Sequence, residues 1–343
     1  MQSLILDGGA MLVALLIVVA GSELFTNAVE HFGESFGLSE GLVGSVFAAV
    51  ATALPETVVP IVAVFGGGGG ASGHAGQSVG VGAIIGSSFM LSTLALTLVM
   101  LFSLPKRGLT QPFEAEPTGL RRDFSYFLCA FLIAGGSLFI PPANFWLRVL
   151  VCAILISIYI GYVVQTVRRS SALVEAGHGT SADNPLWLSR IGLNQNLAIT
   201  GLQALVALIF IIVGAKGFVW GIERMADATQ FPVLVMSLIL VPIATEMPEK
   251  VNSILWIRRG RDTLAFGNIT GAMVFQGTLL PAFGVFLTSW APRADVLAAF
   301  AATLVCSSWV WLRIRTGRLT PVHLFVNAVG YAGFLTFIAI YAV

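Results

Sequence analysis

"ATALPET", residues 51–57, lies inside one long apolar run, and "ATEMPEK", residues 244–250, lies inside another far down the chain. The pattern is costly in a membrane. A charged side chain near the bilayer centre costs about 3 kcal/mol on insertion scales, and a proline both removes a backbone donor and crowds the preceding helical turn. The rest of the chain is that of a polytopic membrane protein: of its 343 residues 57% are hydrophobic and only 10% charged, and its mean hydropathy is +0.90. Soluble domains carry about a quarter charged residues. Apolar runs near the roughly 20 residues needed to cross about 30 Å of hydrocarbon recur from end to end. They predict ten spans, at 8–30, 40–64, 78–103, 124–141, 144–166, 195–222, 231–256, 264–289, 294–312 and 321–342. The lipid bilayer is thus the expected surrounding. A formal net charge of +1, without a long basic run, gives no basis for a nucleic-acid partner.

The opening "MQSLILDGGA" has no basic segment and carries Asp7, so the first span reads as a retained helix rather than a cleaved leader. Cys129, Cys152 and Cys306 are isolated among apolar neighbours, and the four histidines are scattered. Neither pattern resembles a disulfide framework or a metal motif. Alternating the spans places Lys106, Arg107, Arg121, Arg122, Arg168, Arg169, Arg190, Arg258, Arg259, Arg261, Arg313, Arg315 and Arg318 on one side, with Arg148, Arg224 and Arg293 near the other. By the positive-inside rule the first side is cytoplasmic, and both termini are extracytoplasmic.

An offset of 193 residues aligns the two opening stretches without a gap, from Gly21 on Gly214 to Glu56 on Glu249. Phe25 then meets Phe218, Glu30 meets Glu223, Thr52 meets Thr245 and Pro55 meets Pro248. A second match follows, "GAIIGSSF" at 82–89 against "GNITGAMVF" at 267–275, after a glycine-rich insert, "FGGGGGASGHAGQ", that reads as flexible coil. The expected organisation is a first repeat at 1–166, a cytoplasmic linker at 167–194 and a second repeat at 195–343. Five spans per repeat is an odd number, so the second repeat enters the membrane inverted. In such architectures an ion site lies near the midplane between the repeats, on helices broken by Pro or Gly.

Pro55 and Pro248 leave the carbonyls of Ala51 and Ala244 without their usual helical donor. A freed carbonyl, the Thr52 or Thr245 hydroxyl and the Glu56 or Glu249 carboxylate are spaced to share one helical face. All are oxygen ligands, which hard cations such as Ca²⁺, Mg²⁺ and Na⁺ require; Ca²⁺ takes six to eight of them. Asn252, Ser253, Asn268 and Thr270 are further polar residues within spans, open to either a ligand role or bonding across helices. The glycines Gly82, Gly86, Gly267 and Gly271 suit close helix packing.

These motifs resemble the repeats of the calcium/cation antiporter superfamily, whose best known members are the sodium/calcium exchangers, here of prokaryotic type. The family pattern is GTSLPE in one helix and GNxxGSNxxN/D in the next, once per half; here "ATALPE" and "ATEMPE" stand for the first, "GAIIGSSFML" and "GNITGAMVFQ" for the second. The resemblance implies an all-α polytopic fold of about ten transmembrane helices in two inverted-topology five-helix repeats. It makes Glu56 and Glu249 the central cation-binding carboxylates with Thr52 and Thr245 beside them, and Ser87 the family's serine in the first half. It also departs: Ala53 and Glu246 replace the serines of the LPE helices, Ala272 replaces the second serine, and Leu91 and Gln276 close the second motifs. Gln276 and Asn268 complete the candidate set by their places in the motif.

Glu246 leaves two readings open. It shares a face with Glu249 and could replace a carboxylate missing at Gln276, or it could pair with Lys250, four residues on in the favourable order. The expected activity is secondary antiport, exporting Ca²⁺ against Na⁺ or H⁺ by alternating access, with no cofactor beyond the transported cations. Alternatives are an H⁺- or K⁺-coupled exchanger of another cation, and a non-transporting membrane scaffold of the same fold. An enzyme is not expected, because no nucleophile and base pair is visible. The expected location is a prokaryotic plasma membrane.

Overall fold

Proline, glycine and a few polar caps decide where the helices of this apolar chain begin and end. The computed structural model describes residues 2–35, 53–66, 71–175 and 185–341, and among them every regular element is helical. The first repeat contains α1 (Gln2–Ser35), α2 (Leu54–Gly66), α3 (Ala71–Met90), a π turn (Leu91–Ala95) that runs into α4 (Leu96–Arg107), α5 (Pro117–Ser137) and α6 (Phe145–Glu175). The second contains α7 (Leu197–Thr229), α8 (Val233–Thr245), α9 (Met247–Arg259), α10 (Asp262–Leu287), α11 (Ala294–Thr316) and α12 (Phe325–Tyr341). Short 3₁₀ turns at Trp187–Ile191 and Pro321–Leu324 precede α7 and α12.

Caps set several of these boundaries. Asn196 accepts a hydrogen bond from the Ile199 N–H (2.9 Å) to start α7, and Glu116, followed by Pro117, accepts from the N–H groups of Thr118 (2.7 Å) and Gly119 (2.6 Å) to start α5. Gly260, at φ +79°, ends α9 in the left-handed region that glycine enters without strain.

Among the described residues seven helices are long and apolar enough to cross a membrane, and α2 and α8 are shorter apolar helices. With α3–α4 and α8–α9 each taken as one pass, and α2 as the described part of the second, the chain makes ten passes as two five-pass repeats of inverted topology. The packing obeys the same symmetry: α2 packs on α3 as α9 packs on α10, α5 on α6 as α11 on α12, and α10 on α5 as α3 on α11. Each repeat also packs on its own image, through α1 with α7, α5 with α11 and α3 with α10.

Burial separates a centre from a periphery. The apolar windows of the Ala75–Arg107 and Asp262–Leu287 passes are 78% and 83% buried, whereas those of α1 and α7 are 18% and 28% buried. The α3 and α10 passes are therefore the core of the bundle, and Leu12, Leu16, Leu205 and Val213 on α1 and α7 stay exposed, as suits a lipid-facing surface. Where α1 meets α7 the contact is reciprocal. A Cβ on Gly21 would lie 3.0 Å from the Ala207 carbonyl oxygen, and one on Gly214 would lie 2.9 Å from that of Ala14.

The glycine-rich insert departs from the coil expected of it. Phe65 and Gly66 belong to α2 and the helix α3 begins at Ala71, leaving only residues 67–70 of the insert outside the described residues. The physical reason is close packing: a side chain on Gly76 would run into the carbonyl of Ala63. Gly82 and Gly86 do the same against Ser237 and Leu238 of α8, as their spacing predicts, while Gly267 has open space at its Cβ.

One face gathers the loops after α4, α9 and α11. Arg107 pairs with Asp262 (2.6 Å), Asp262 accepts from the Glu114 N–H (2.6 Å), and the Phe113 N–H donates to the Leu319 carbonyl (2.9 Å). The last turns of α4, α9 and α11 are basic, with Lys106 and Arg107, Arg258 and Arg259, Arg313 and Arg315, which complements the negative end of each helix dipole.

Candidate cation-binding site

Pro248 does not bend a continuous helix but opens a new one, and Pro55 stands at the start of a described helix. Pro55 is the second residue of α2, and Pro248 lies in the first two positions of α9, where its missing N–H costs nothing. Helix α8 stops at Thr245, Glu246 sits at the junction with φ −89° and ψ 14°, and α9 resumes at Met247. This corrects the expectation of one unbroken face running from the threonine to the glutamate. The helix starts have a consequence for charge: Glu56 and Glu249 both stand in the first turn of a helix, where the positive end of the dipole complements a carboxylate.

Glu56, Glu246 and Glu249 are all fully buried, and Glu56 lies within electrostatic reach of Glu249, Glu246 and Lys250 across the boundary between the repeats. Neither carboxylate oxygen of Glu56 has a hydrogen-bond partner among the described residues. A buried acceptor in that state is expensive unless something else satisfies it. At Glu246 the second of the two readings is formed: the Lys250 ammonium lies 2.9 Å from Glu246 Oε2, with both side chains buried. Lys250 Nζ also donates to the Pro242 carbonyl at 2.9 Å.

The other candidates fall around this centre in different ways. Thr245 is buried and its hydroxyl donates back to the Val241 carbonyl (3.0 Å); Ala244 is buried beside it, its carbonyl facing the nitrogen of Pro248 in sequence rather than an N–H. Ala51 and Thr52 lie outside the described residues. Ser87 is fully buried on α3 and donates to the Ala83 carbonyl (2.9 Å). Gln276 is fully buried on α10 with its amide beside the Glu246 carboxylate. Asn268 acts on the backbone of the site: its amide donates to the Glu249 carbonyl (3.1 Å) and to Ser253 Oγ (3.0 Å), tying α10 to α9.

Three features escape the motif reading. Ser88, next to Ser87, is buried with no partner for its hydroxyl among the described residues. Thr57 closes the first turn of α2 by donating to the Ala53 carbonyl (2.9 Å). The π turn begins at Leu91, and the Ser92 carbonyl within it accepts from Asn327 Nδ2 (2.7 Å) on α12. A lone asparagine inside an apolar span is the signal that points to Asn327. Among the described residues no three His, Cys, Asp or Glu side chains come together closely enough to hold a metal ion. A cation at this centre therefore needs carbonyl and hydroxyl oxygens in addition to carboxylates.

Known proteins agree with this architecture. The chain is 25% identical over 275 residues to the inner membrane protein YrbG of Escherichia coli (strain K12), covering 80% of this chain and 77% of that one. Its fold matches the sodium-calcium exchanger NCX_Mj soaked with Na⁺ and Sr²⁺, with TM-score 0.61 and 20% identity over 97% of this chain and 98% of that one. It equally matches the H⁺/Ca²⁺ exchanger CAX, with TM-score 0.62 and 17% identity over 97% and 88% of the two chains. The sodium/calcium exchanger protein family matches residues 8–167 and 200–340, nearly the whole of both repeats. With its two inverted repeats and a buried carboxylate from each at their boundary, the chain belongs to the sodium/calcium exchanger protein family.

Proposed function

We propose that this cation antiporter exports Ca²⁺ in exchange for Na⁺ or H⁺, by alternating access around Glu56 and Glu249. The observation that carries the reading is the pairing of these two glutamates, one from each repeat, each fully buried in the first turn of a helix. Two buried carboxylates are neutralised by one divalent cation or by two monovalent ones, so the same pair can serve both half-cycles in turn. Thr245, Ser87 and the Ala244 carbonyl are proposed to add neutral oxygens, with Thr52 and the Ala51 carbonyl as their counterparts in the first repeat. Gln276 is proposed to supply an amide oxygen, and Asn268 to fix the Glu249 backbone.

The proposed division is a first repeat at 1–166, a linker at 167–194 and a second repeat at 195–343. The basic face is proposed to be cytoplasmic, which puts both termini outside, in a prokaryotic plasma membrane.

The test is ⁴⁵Ca²⁺ uptake into proteoliposomes loaded with Na⁺, or given a pH gradient instead, for wild type, Glu56→Gln and Glu249→Gln. Uptake driven by one gradient and abolished by each substitution is the expected result and names the coupling ion. Absence of Ca²⁺ flux under both gradients, with folded protein, overturns the reading.

A further inference from the structure

We propose that Lys250 is a tethered cation that permanently takes the place of one transported monovalent ion, so that the site exchanges one Ca²⁺ for two monovalent cations without moving net charge. The inference rests on the exchanger reading above and specifies its stoichiometry. Among the described residues three carboxylates are buried at the centre, and three would call for three monovalent cations in the half-cycle without Ca²⁺. Lys250 removes one from that count. Its ammonium lies against Glu246 Oε2 and the Pro242 carbonyl, both at 2.9 Å, which are the oxygen types a monovalent metal ion would otherwise gather. The Pro242 carbonyl also accepts the Glu246 N–H (3.2 Å) at the break between α8 and α9, so the ammonium is held at the junction itself.

The pair is inside the site rather than on its rim. Glu246 is fully buried, Lys250 is 5% exposed, and both lie within electrostatic reach of Glu56. A buried carboxylate is costly to keep charged without a counter-charge, because its desolvation costs several kcal/mol even after relaxation. With Lys250 bound to Glu246, Glu56 and Glu249, the proposed cation-binding carboxylates, set the charge that transported ions meet. Gln276, beside Glu246, adds no further charge.

The experiment compares wild type, Lys250→Met and Glu246→Gln/Lys250→Met in proteoliposomes, with ⁴⁵Ca²⁺ flux followed under an imposed membrane potential. Wild type and the double variant should show a Ca²⁺ distribution independent of potential. Lys250→Met should recruit one more cation per cycle, and an imposed potential of about 60 mV should then shift its equilibrium Ca²⁺ distribution about tenfold. Potential-dependent exchange by wild type, or potential-independent exchange by Lys250→Met, overturns the proposal.

A binding readout separates this idea from the exchanger reading. If wild type carries no Ca²⁺ under either gradient the exchanger reading fails, and the tethered cation is then judged by Tm in NaCl against choline chloride. Na⁺ at ten times its Kd raises the folded-to-unfolded ratio about elevenfold. Lys250→Met should gain a Na⁺-dependent rise in Tm beyond that of wild type, and the double variant should not. Equal Na⁺ responses in all three overturn the proposal, as does a double variant that fails to fold, which would assign the pair to stability alone.

Discussion

Gly21 of α1 rests against the carbonyl of Ala207 on α7, its Cβ position only 3.0 Å from that oxygen. The offset that relates the repeats carries Gly21 onto Gly214 and Ala14 onto Ala207, and the Gly214 Cβ position lies 2.9 Å from the Ala14 carbonyl oxygen. The two contacts are one contact seen twice, as in an isologous dimer interface. Gly21→Leu should therefore force α1 and α7 apart and cost about 1–3 kcal/mol through overpacking. Gly214→Leu should cost a similar amount, and thermal unfolding of both variants in detergent checks it; a neutral effect at either position would contradict the close approach.

Asn268 touches Glu249 through the backbone carbonyl rather than the carboxylate. Asn268→Leu should strip the Glu249 carbonyl and Ser253 Oγ of a donor and weaken Ca²⁺ binding by about 1–3 kcal/mol, roughly five- to 150-fold in Kd. Calorimetric titration with Ca²⁺ reads this directly. Asn268→Asp, which lacks the donating amide, should not restore the wild-type affinity.

Arg148 gathers five carbonyls, those of Ile140, Val285, Thr288, Ser289 and Trp290, at 3.1–3.3 Å. It closes the C-terminal end of α10, whose last carbonyls have no helical donors. Arg148→Met should lower stability by at least ~3 kcal/mol, since hydrogen bonds to a charged group contribute about 1.5–3 kcal/mol each and are not additive. Arg148→Lys should recover only part of this, because a compact ammonium cannot span the fork. Denaturation midpoints of the three proteins provide the comparison.

Glu116, outside the spans, caps α5. Burial alone would raise its carboxyl, but the hydrogen bonds from Gly119 and Thr118 outweigh this and hold it below the usual carboxylate range. A depressed value means that the cap's stabilisation is complete above the unfolded pKa and is lost as pH falls through the folded one. Glu116→Ala should cost about 1 kcal/mol at neutral pH, and the Tm difference from wild type should vanish in acid. A difference that persists there would assign the effect to packing.

The ten passes and the inverted repeat were legible because apolar length and an ungapped internal match are properties of the chain itself. The helix break was not. Pro248 reads the same in sequence whether it bends a helix or starts one, and only the backbone at Glu246, with its ψ of 14°, decides the matter. The described ends of the insert "FGGGGGASGHAGQ" are helical rather than coil, because glycine signals both freedom and close approach, and Gly76 against Ala63 uses the second. Glu246 and Lys250 could be seen to be in reach of each other, but which partner Glu246 takes depends on how deeply both are buried, and burial is set by helices far away in sequence.

The great length of α1 and α7 has its own consequence. Their 34 and 33 residues amount to roughly 50 Å at 1.5 Å per residue, against about 30 Å of hydrocarbon. They must cross at a slant or protrude, while the inner passes are shielded from lipid. Because the two touch closely along their length, at Gly21 and Gly214 among other places, a thicker bilayer can be met by turning the pair more upright together. Membrane thickness thus acts on this molecule through its outermost helices, and the carboxylates at its centre feel the lipid only second-hand.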